Sequence, residues 1–77
     1  MSFLIVGHRY RTRQGDDYIV TEEHTEPGLF YPFRAERAGG VWTNNYTANG
    51  NYLLVKTSGF DLVEDLTDPE NVLKDWT

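Results

Sequence analysis

The chain has no cysteine, only one methionine and no long apolar run. Without cysteine it can form neither a disulfide framework nor a thiolate zinc site, and it offers no thiol nucleophile. The apolar run over residues 3–6 is far shorter than a secretory or membrane-spanning segment. With 77 residues there is room for one domain, held together by apolar packing and hydrogen bonds. We therefore expect a soluble protein of the reducing cytoplasm, with no membrane partner.

Motifs of catalysis are also absent. The sequence contains no HExxH, GxSxG or GxxxxGK[ST] pattern, and neither of its two serines lies in a recognisable nucleophile setting. Neighbouring carboxylates are frequent, but so small a domain offers little cleft for a paired-carboxylate mechanism. His8 and His24, on paired strands, could bind a divalent metal with Glu23 or Glu26, although two surface histidines are the simpler interpretation. We expect no enzyme activity, no cofactor and no bound metal.

Negative charge is concentrated near the C-terminal end of the chain. Residues 60–77 carry the whole net charge of −5, because they contain one lysine and the six acids Asp61, Glu64, Asp65, Asp68, Glu70 and Asp75. The preceding residues contain six basic and six acidic side chains and are neutral overall. An acidic segment repels a nucleic-acid backbone, and it is typical either of a solvated surface or of a segment that binds a basic partner.

Aromatic and β-branched residues occur in short runs, separated by glycine-containing turns at residues 14–15, 39–40 and 49–50. The runs predict strands over residues 3–13, 17–23, 29–37, 41–46 and 51–56, and a final extended piece over 60–63. Gly7 is expected to mark a bend in the first strand. Pro32 is expected to place the third strand at an edge or to interrupt it with a bulge.

These strands predict an all-β, mainly antiparallel domain over residues 1–66, either a five- or six-stranded bent sheet or a small barrel. We expect residues 67–77 to form a separate acidic piece, either a helical turn or a tail. Thr67 with Glu70 matches a capping box, and Asp68 with Pro69 matches an N-cap followed by proline. Both patterns predict a short C-terminal helical turn, which carries Trp76.

The strongest local pattern is a repeated arginine on the first strand. Period two places Arg9, Arg11 and Arg13, here called the arginine stripe, on one face of the strand and the intervening residues on the other. Arginine forks match phosphates and carboxylates, so the stripe could contact RNA, DNA or an acidic protein. Alternatively, acids across the sheet neutralise it, with Asp17, Glu23 and the acidic tail as the available partners.

Four large aromatic residues lie on the central predicted strands. These are Tyr31, Trp42, Tyr46 and Tyr52. Most of them are expected in the core, because each buries an area that a small domain needs for its stability. If one is exposed beside the arginines, it would be a natural centre for binding.

Five short motifs follow one another in a characteristic order. They are GHRYRTRQG at residues 7–15, YPF at 31–33, WT at 42–43, NGNY at 49–52 and DLV at 61–63. In their order and spacing, over about residues 7–64, they resemble small hypothetical proteins of tailed bacteriophages and prophages. The resemblance implies a small SH3-like barrel and a non-enzymatic protein. It supplies no catalytic residues.

Together these features predict a small binding protein that contacts a host protein in the bacterial cytoplasm and inhibits or redirects it. The candidate contact residues are Arg9, Arg11, Arg13, Asp61, Glu64, Asp65, Asp68 and Trp76. The alternative is a nucleic-acid-binding barrel that uses the arginine stripe, and the net charge counts against it. A role as a minor virion component is a further alternative. The sequence does not decide between a monomer and a dimer. An edge strand over residues 29–37 would permit dimerisation by strand addition.

Overall fold

The computed structural model describes residues 4–71 of the chain. It contains five strands, which are β1 (Arg9–Thr12), β2 (Asp17–Glu23), β3 (Phe33–Arg37), β4 (Thr43–Tyr46) and β5 (Leu62–Asp65). They form one antiparallel sheet in the order β4-β3-β2-β1-β5. The prediction of an all-β fold with a five-stranded sheet is confirmed. The sheet does not close into a barrel, so β4 and β5 are its two edges.

The sheet has one buried and one exposed face, which follows from the alternation of side chains along its strands. Along β1, Tyr10 and Thr12 are buried while Arg9 and Arg11 are exposed. The core on the buried face comprises Leu4, Tyr10, Tyr18, Val20, Phe33, Ala35, Tyr46 and Leu62. The alternation predicted for the arginine stripe is therefore confirmed on β1.

Tyrosine supplies much of this core, so its hydroxyl groups need buried partners. The Tyr10 hydroxyl accepts a hydrogen bond from the Ile5 amide at 2.8 Å. The Tyr46 hydroxyl donates to the Phe60 carbonyl at 2.8 Å and accepts from Asn44 Nδ2 at 3.1 Å. Burial raises the pKa of Tyr10 to about 12 and also raises the pKa of Tyr46. These bonds connect the N-terminal segment and the loop before β5 to the core.

Gly7 marks the predicted bend, and it shortens the first strand. Its φ of 92° lies in the left-handed region that favours glycine, and its amide donates to the Val20 carbonyl at 2.8 Å. Gly50, with φ 87°, is required for space as well, because a Cβ there would lie 3.0 Å from the Leu62 carbonyl oxygen. The chain thus turns tightly just before the sheet begins and again after β4.

Several predicted strand boundaries are wrong. The first strand starts at Arg9 instead of residue 3, and the last strand is Leu62–Asp65 instead of 60–63. The predicted strand over residues 51–56 is a run of bends. The third strand starts only after Pro32 and pairs with both β2 and β4, so it is an internal strand and not an edge.

No helix forms within residues 67–71, where the chain makes turns. The rest of the predicted helical turn, including Trp76, lies outside the described residues. Residues 4–71 include no helix with the length and hydropathy that a membrane span requires.

Candidate binding surfaces

The arginines of β1 are paired with carboxylates across the exposed face of the sheet. Arg9 Nε lies 3.2 Å from Asp17 Oδ2 on β2, and Arg11 Nη1 lies 3.0 Å from Glu64 Oε1 on β5. Glu64 stands directly opposite Arg11 on β5, whereas Asp17 stands opposite Arg11 on β2 and is therefore the diagonal neighbour of Arg9. Of the two interpretations of the stripe, pairing with acids across the sheet is confirmed for Arg9 with Asp17 and for Arg11 with Glu64.

The third arginine of the stripe meets a buried acid. Arg13 Nη2 lies 3.4 Å from Asp61 Oδ2, and Arg13 Nε donates to the Ser58 carbonyl at 3.3 Å. Asp61 is only 1% exposed, and it also accepts hydrogen bonds from the amides of Tyr52, at 2.8 Å, and Ser58, at 3.0 Å. Asp61 therefore holds the loop between β4 and β5 in place. Its side chain was predicted to contact a partner, but it is buried.

Asp65 has the same kind of structural role at the end of β5. Its buried carboxylate accepts from His8 Nδ1 at 2.8 Å, from Asn71 Nδ2 at 2.9 Å, and from the amides of Thr67 and Asp68, each at 2.9 Å. Burial alone would raise the pKa of Asp65, but the hydrogen bonds from Asn71, His8 and the two amides outweigh it and lower the pKa. Asp65 is thus an internal cap for the turn after β5.

The other predicted acidic contacts lie at the surface. Glu64 is exposed and forms the salt bridge with Arg11. Asp68 is also exposed, and its Oδ1 accepts a hydrogen bond from the Glu70 amide at 3.2 Å. Of the four tail acids predicted to contact a partner, two are buried and two are exposed. Trp76, the remaining predicted contact, lies outside the described residues.

The two histidines are separated and each has its own carboxylate. His8 lies opposite Val20 on β2, and Val20 precedes His24 by four residues in the chain. The His8 ring is hydrogen-bonded to Asp65. His24 Nε2 lies 3.2 Å from Glu22 Oε2. Residues 4–71 contain no group of three or more histidine or acidic side chains placed to hold a metal ion.

The opposite edge strand, β4, has no charged side chain. Its residues are Thr43, Asn44, Asn45 and Tyr46. The Arg37 amide donates to the Trp42 carbonyl at 2.8 Å, which sets the antiparallel pattern. The peptide groups of Asn44 and Tyr46 consequently face β3, and those of Thr43 and Asn45 face away from the sheet. Within the described part of the chain, no strand pairs with that outer side.

A cleft of about 330 Å³ adjoins this edge. It is lined by Tyr31, Thr43, Asn44, Asn45, Tyr52 and Leu53, and we call it the β4 cleft. Tyr31 comes from the loop before β3, whereas Tyr52 and Leu53 come from the loop after β4. The Tyr52 ring packs edge-on against Tyr46, with centroids 6.2 Å apart, so the cleft rests on the core. None of its lining residues is charged.

Three exposed apolar pairs adjoin the β4 cleft along the chain. They are Leu29 with Phe30, Val41 with Trp42, and Leu54 with Val55. Each pair directly precedes or follows a lining residue of the cleft in sequence. Trp42 is 61% exposed, Phe30 69% and Val55 92%. We call these six residues the apolar pairs.

The prediction that the large aromatics are mostly core is confirmed for Tyr46, which is buried, while Tyr31 and Tyr52 are partly buried. Trp42 is the exposed member of the four. The turn at residues 39–40 was predicted, but the strand after it starts at Thr43 instead of residue 41, which leaves Val41 and Trp42 outside β4. Trp42 is also not beside the arginine stripe, because β3 and β2 lie between β4 and β1.

No protein-family model matches the chain, and neither a curated protein nor a solved structure does. The resemblance to phage proteins accordingly stays a prediction from five short motifs. The surfaces described above have to be interpreted from their own chemistry, and the β4 side is the one that combines exposed apolar area with an unpaired edge.

Proposed function

We propose that the protein is a small, non-enzymatic binding module whose partner is another protein. The observation that carries the proposal is the exposure of the apolar pairs, each adjacent in sequence to a lining residue of the β4 cleft, with Trp42 largely exposed. Burial of apolar surface is the main favourable term in protein association, and tryptophan is the residue type most enriched among binding hot spots. A domain this small gains stability from every aromatic it buries, so an exposed tryptophan favours a role in binding.

The charge distribution favours a protein over a nucleic acid. Each arginine of the stripe has a carboxylate oxygen within 3.4 Å, so a phosphate would have to displace an existing partner. The net charge of −5 opposes a polyanion at long range as well. The same charge favours a partner whose contacting surface is neutral or basic.

The resemblance to proteins of tailed phages directs this proposal to a host protein, which binding would inhibit or redirect. Inhibition by occupancy needs only a stable contact with a functional surface of the host protein, and it needs no catalytic group. Exposed acids such as Glu64 and Asp68 would speed association with a basic surface without being its centre.

The test is affinity purification from a bacterial lysate, identification of the captured protein, and titration calorimetry with that protein purified. We expect Trp42→Ser to weaken binding by at least about tenfold, the usual scale for a hot-spot truncation. Val6→Ser is the matched control, because Val6 is 47% exposed and is not adjacent in sequence to the cleft. Equal weakening by both variants, or no specific partner, would contradict the proposal.

A gel shift against single- and double-stranded DNA and RNA completes this test. Salt-sensitive binding that is lost in Arg11→Glu would replace the protein partner with a nucleic acid. We expect no shift at moderate salt.

A further inference from the structure

We infer that β4 is a strand-addition site: an extended, uncharged or basic segment of a partner protein pairs with its free side and places one apolar side chain in the β4 cleft. This inference rests on the proposed function and specifies how the partner is held. It concerns the backbone of β4, whereas the proposed function concerns the apolar pairs beside it.

The free side of β4 presents backbone groups at the spacing that strand pairing needs. The amides and carbonyls of Thr43 and Asn45 face outward, two residues apart, as established by the pairing of Arg37 with Trp42. An added antiparallel strand would form its closely spaced pairs of hydrogen bonds with these two residues. Main-chain bonds of this kind supply affinity in strand addition, and pockets for alternate side chains supply specificity.

β4 is short, with four residues, but it lacks the other features that block edge pairing. Proteins guard exposed edges with charged residues, proline or bulges. β4 contains neither a charged residue nor proline, and its register with β3 is continuous from Phe33 opposite Tyr46 to Glu36 opposite Thr43. The β1–β5 pairing, in contrast, shifts register between Arg11 and Thr12, and β5 itself carries Glu64 and Asp65.

The β4 cleft gives the added strand a side-chain pocket. Side chains of an extended segment alternate between the two faces, so every second one would point toward the cleft. The cleft is open to solvent and not enclosed, and its volume of about 330 Å³ has room for one large side chain. The rings of Tyr31 and Tyr52 and the side chain of Leu53 favour an aliphatic or aromatic one.

A second copy of this chain fits the site less well than a different protein. Two copies would each bring a net charge of −5, which opposes their association. A neutral or basic segment of another protein meets no such repulsion, and an acidic segment does.

The probe is a library of random octapeptides, selected for binding to the purified full-length chain. The matched variants are Asn45→Lys, at the free edge, and Asn49→Lys, in the exposed turn beyond it. Both change one exposed asparagine to lysine and shift the net charge equally. We expect selected peptides to be depleted in acidic residues and to lose at least tenfold in affinity for Asn45→Lys while binding Asn49→Lys like the wild type.

Amide hydrogen exchange provides the readout that locates the peptide. Saturating peptide should slow exchange at Thr43 and Asn45 at least tenfold. The amides of Asn44 and Tyr46 face β3 and should change much less. N-methylation of the alternate peptide residues whose amides face β4 should abolish binding. This experiment leaves the protein unchanged, so it still tests the inference if Asn45→Lys lowers the unfolding midpoint.

Protection at other residues, enrichment of acidic peptides, or equal binding to both lysine variants would overturn the inference. So would failure to select any peptide. A concentration-dependent dimer in analytical ultracentrifugation, lost in Asn45→Lys only, would assign the edge to a second copy and overturn it too. None of these results decides the proposed function, which depends on the difference between Trp42→Ser and Val6→Ser.

Discussion

The two edge strands of the sheet, β4 and β5, have four residues each but differ in charge: β5 carries two acids and β4 has no charged side chain. Two buried carboxylates, Asp61 just before β5 and Asp65 at its end, accept hydrogen bonds that hold the adjoining loop and turn in place. Beside β4 there is an uncharged cleft, the exposed Val41 and Trp42 directly precede the strand, and no described strand covers the edge. The difference indicates that the acidic side of the molecule partly serves folding, whereas the uncharged side has the features of a contact surface.

Asp61→Ala tests the structural role of the β5 side and should have the largest effect. It removes the acceptor of the Tyr52 and Ser58 amides and the partner of Arg13. We expect the free energy of unfolding to fall by about 3 kcal/mol, since bonds to a buried charged group are strong and their loss leaves donors unpaired. Urea denaturation at pH 7 measures it.

Asp68→Ala is the control for this prediction, because Asp68 is an exposed acid of the same charge-rich segment. Its loss should change the free energy of unfolding by no more than about 0.5 kcal/mol. Similar effects of the two alanine variants would show that burial does not separate the structural acids from the surface ones.

Asp65→Asn should have an intermediate effect that depends on pH. We expect a loss of about 2 kcal/mol at pH 7, because an amide keeps one acceptor oxygen but not the negative charge. Hydrogen bonds lower the folded-state pKa of Asp65, so the ionised carboxylate stabilises the fold above its unfolded pKa of about 3.9. That contribution is lost as the pH falls through the lowered folded pKa.

The difference in unfolding free energy between wild type and Asp65→Asn should therefore be constant from pH 7 to about 5 and shrink as the pH falls below about 4. Urea midpoints at a series of pH values measure it. A difference that stays constant down to pH 2 would contradict the assignment of Asp65 as a carboxylate that must be ionised to cap the turn after β5.

Local pattern was sufficient to predict some elements and not others. β2 has the bounds that its alternation predicts, and the arginine stripe lies on the exposed face of β1. Residues 51–56 have strand-forming composition, yet their backbone is bent, and the Tyr52 amide bonds to the Asp61 side chain. That bond joins residues nine positions apart, so period-two analysis does not detect it. Pro32 marked the start of β3, but pairing partners decide which strand is an edge.

The surfaces were predictable only in part, for the same reason. Acids are mostly exposed in proteins, so composition places Asp61 and Asp65 with Glu64 at the surface. Their burial depends on donors from distant segments, such as His8 for Asp65 and Arg13 for Asp61. The β4 cleft likewise combines residues from three parts of the chain, which sequence spacing alone does not bring together.

The exposed pair of Arg11 and Glu64 should give the smallest effect. Their side chains are 48% and 51% exposed, and they contact each other across β1 and β5 at 3.0 Å. A double-mutant cycle of Arg11→Ala and Glu64→Ala, followed by urea denaturation, should yield a coupling energy of about 0.5 kcal/mol that falls at 1 M salt, because water and salt screen exposed pairs. A coupling energy above about 2 kcal/mol would contradict the distinction between buried and exposed acids, because Glu64 would then stabilise the fold as much as Asp61 or Asp65 does.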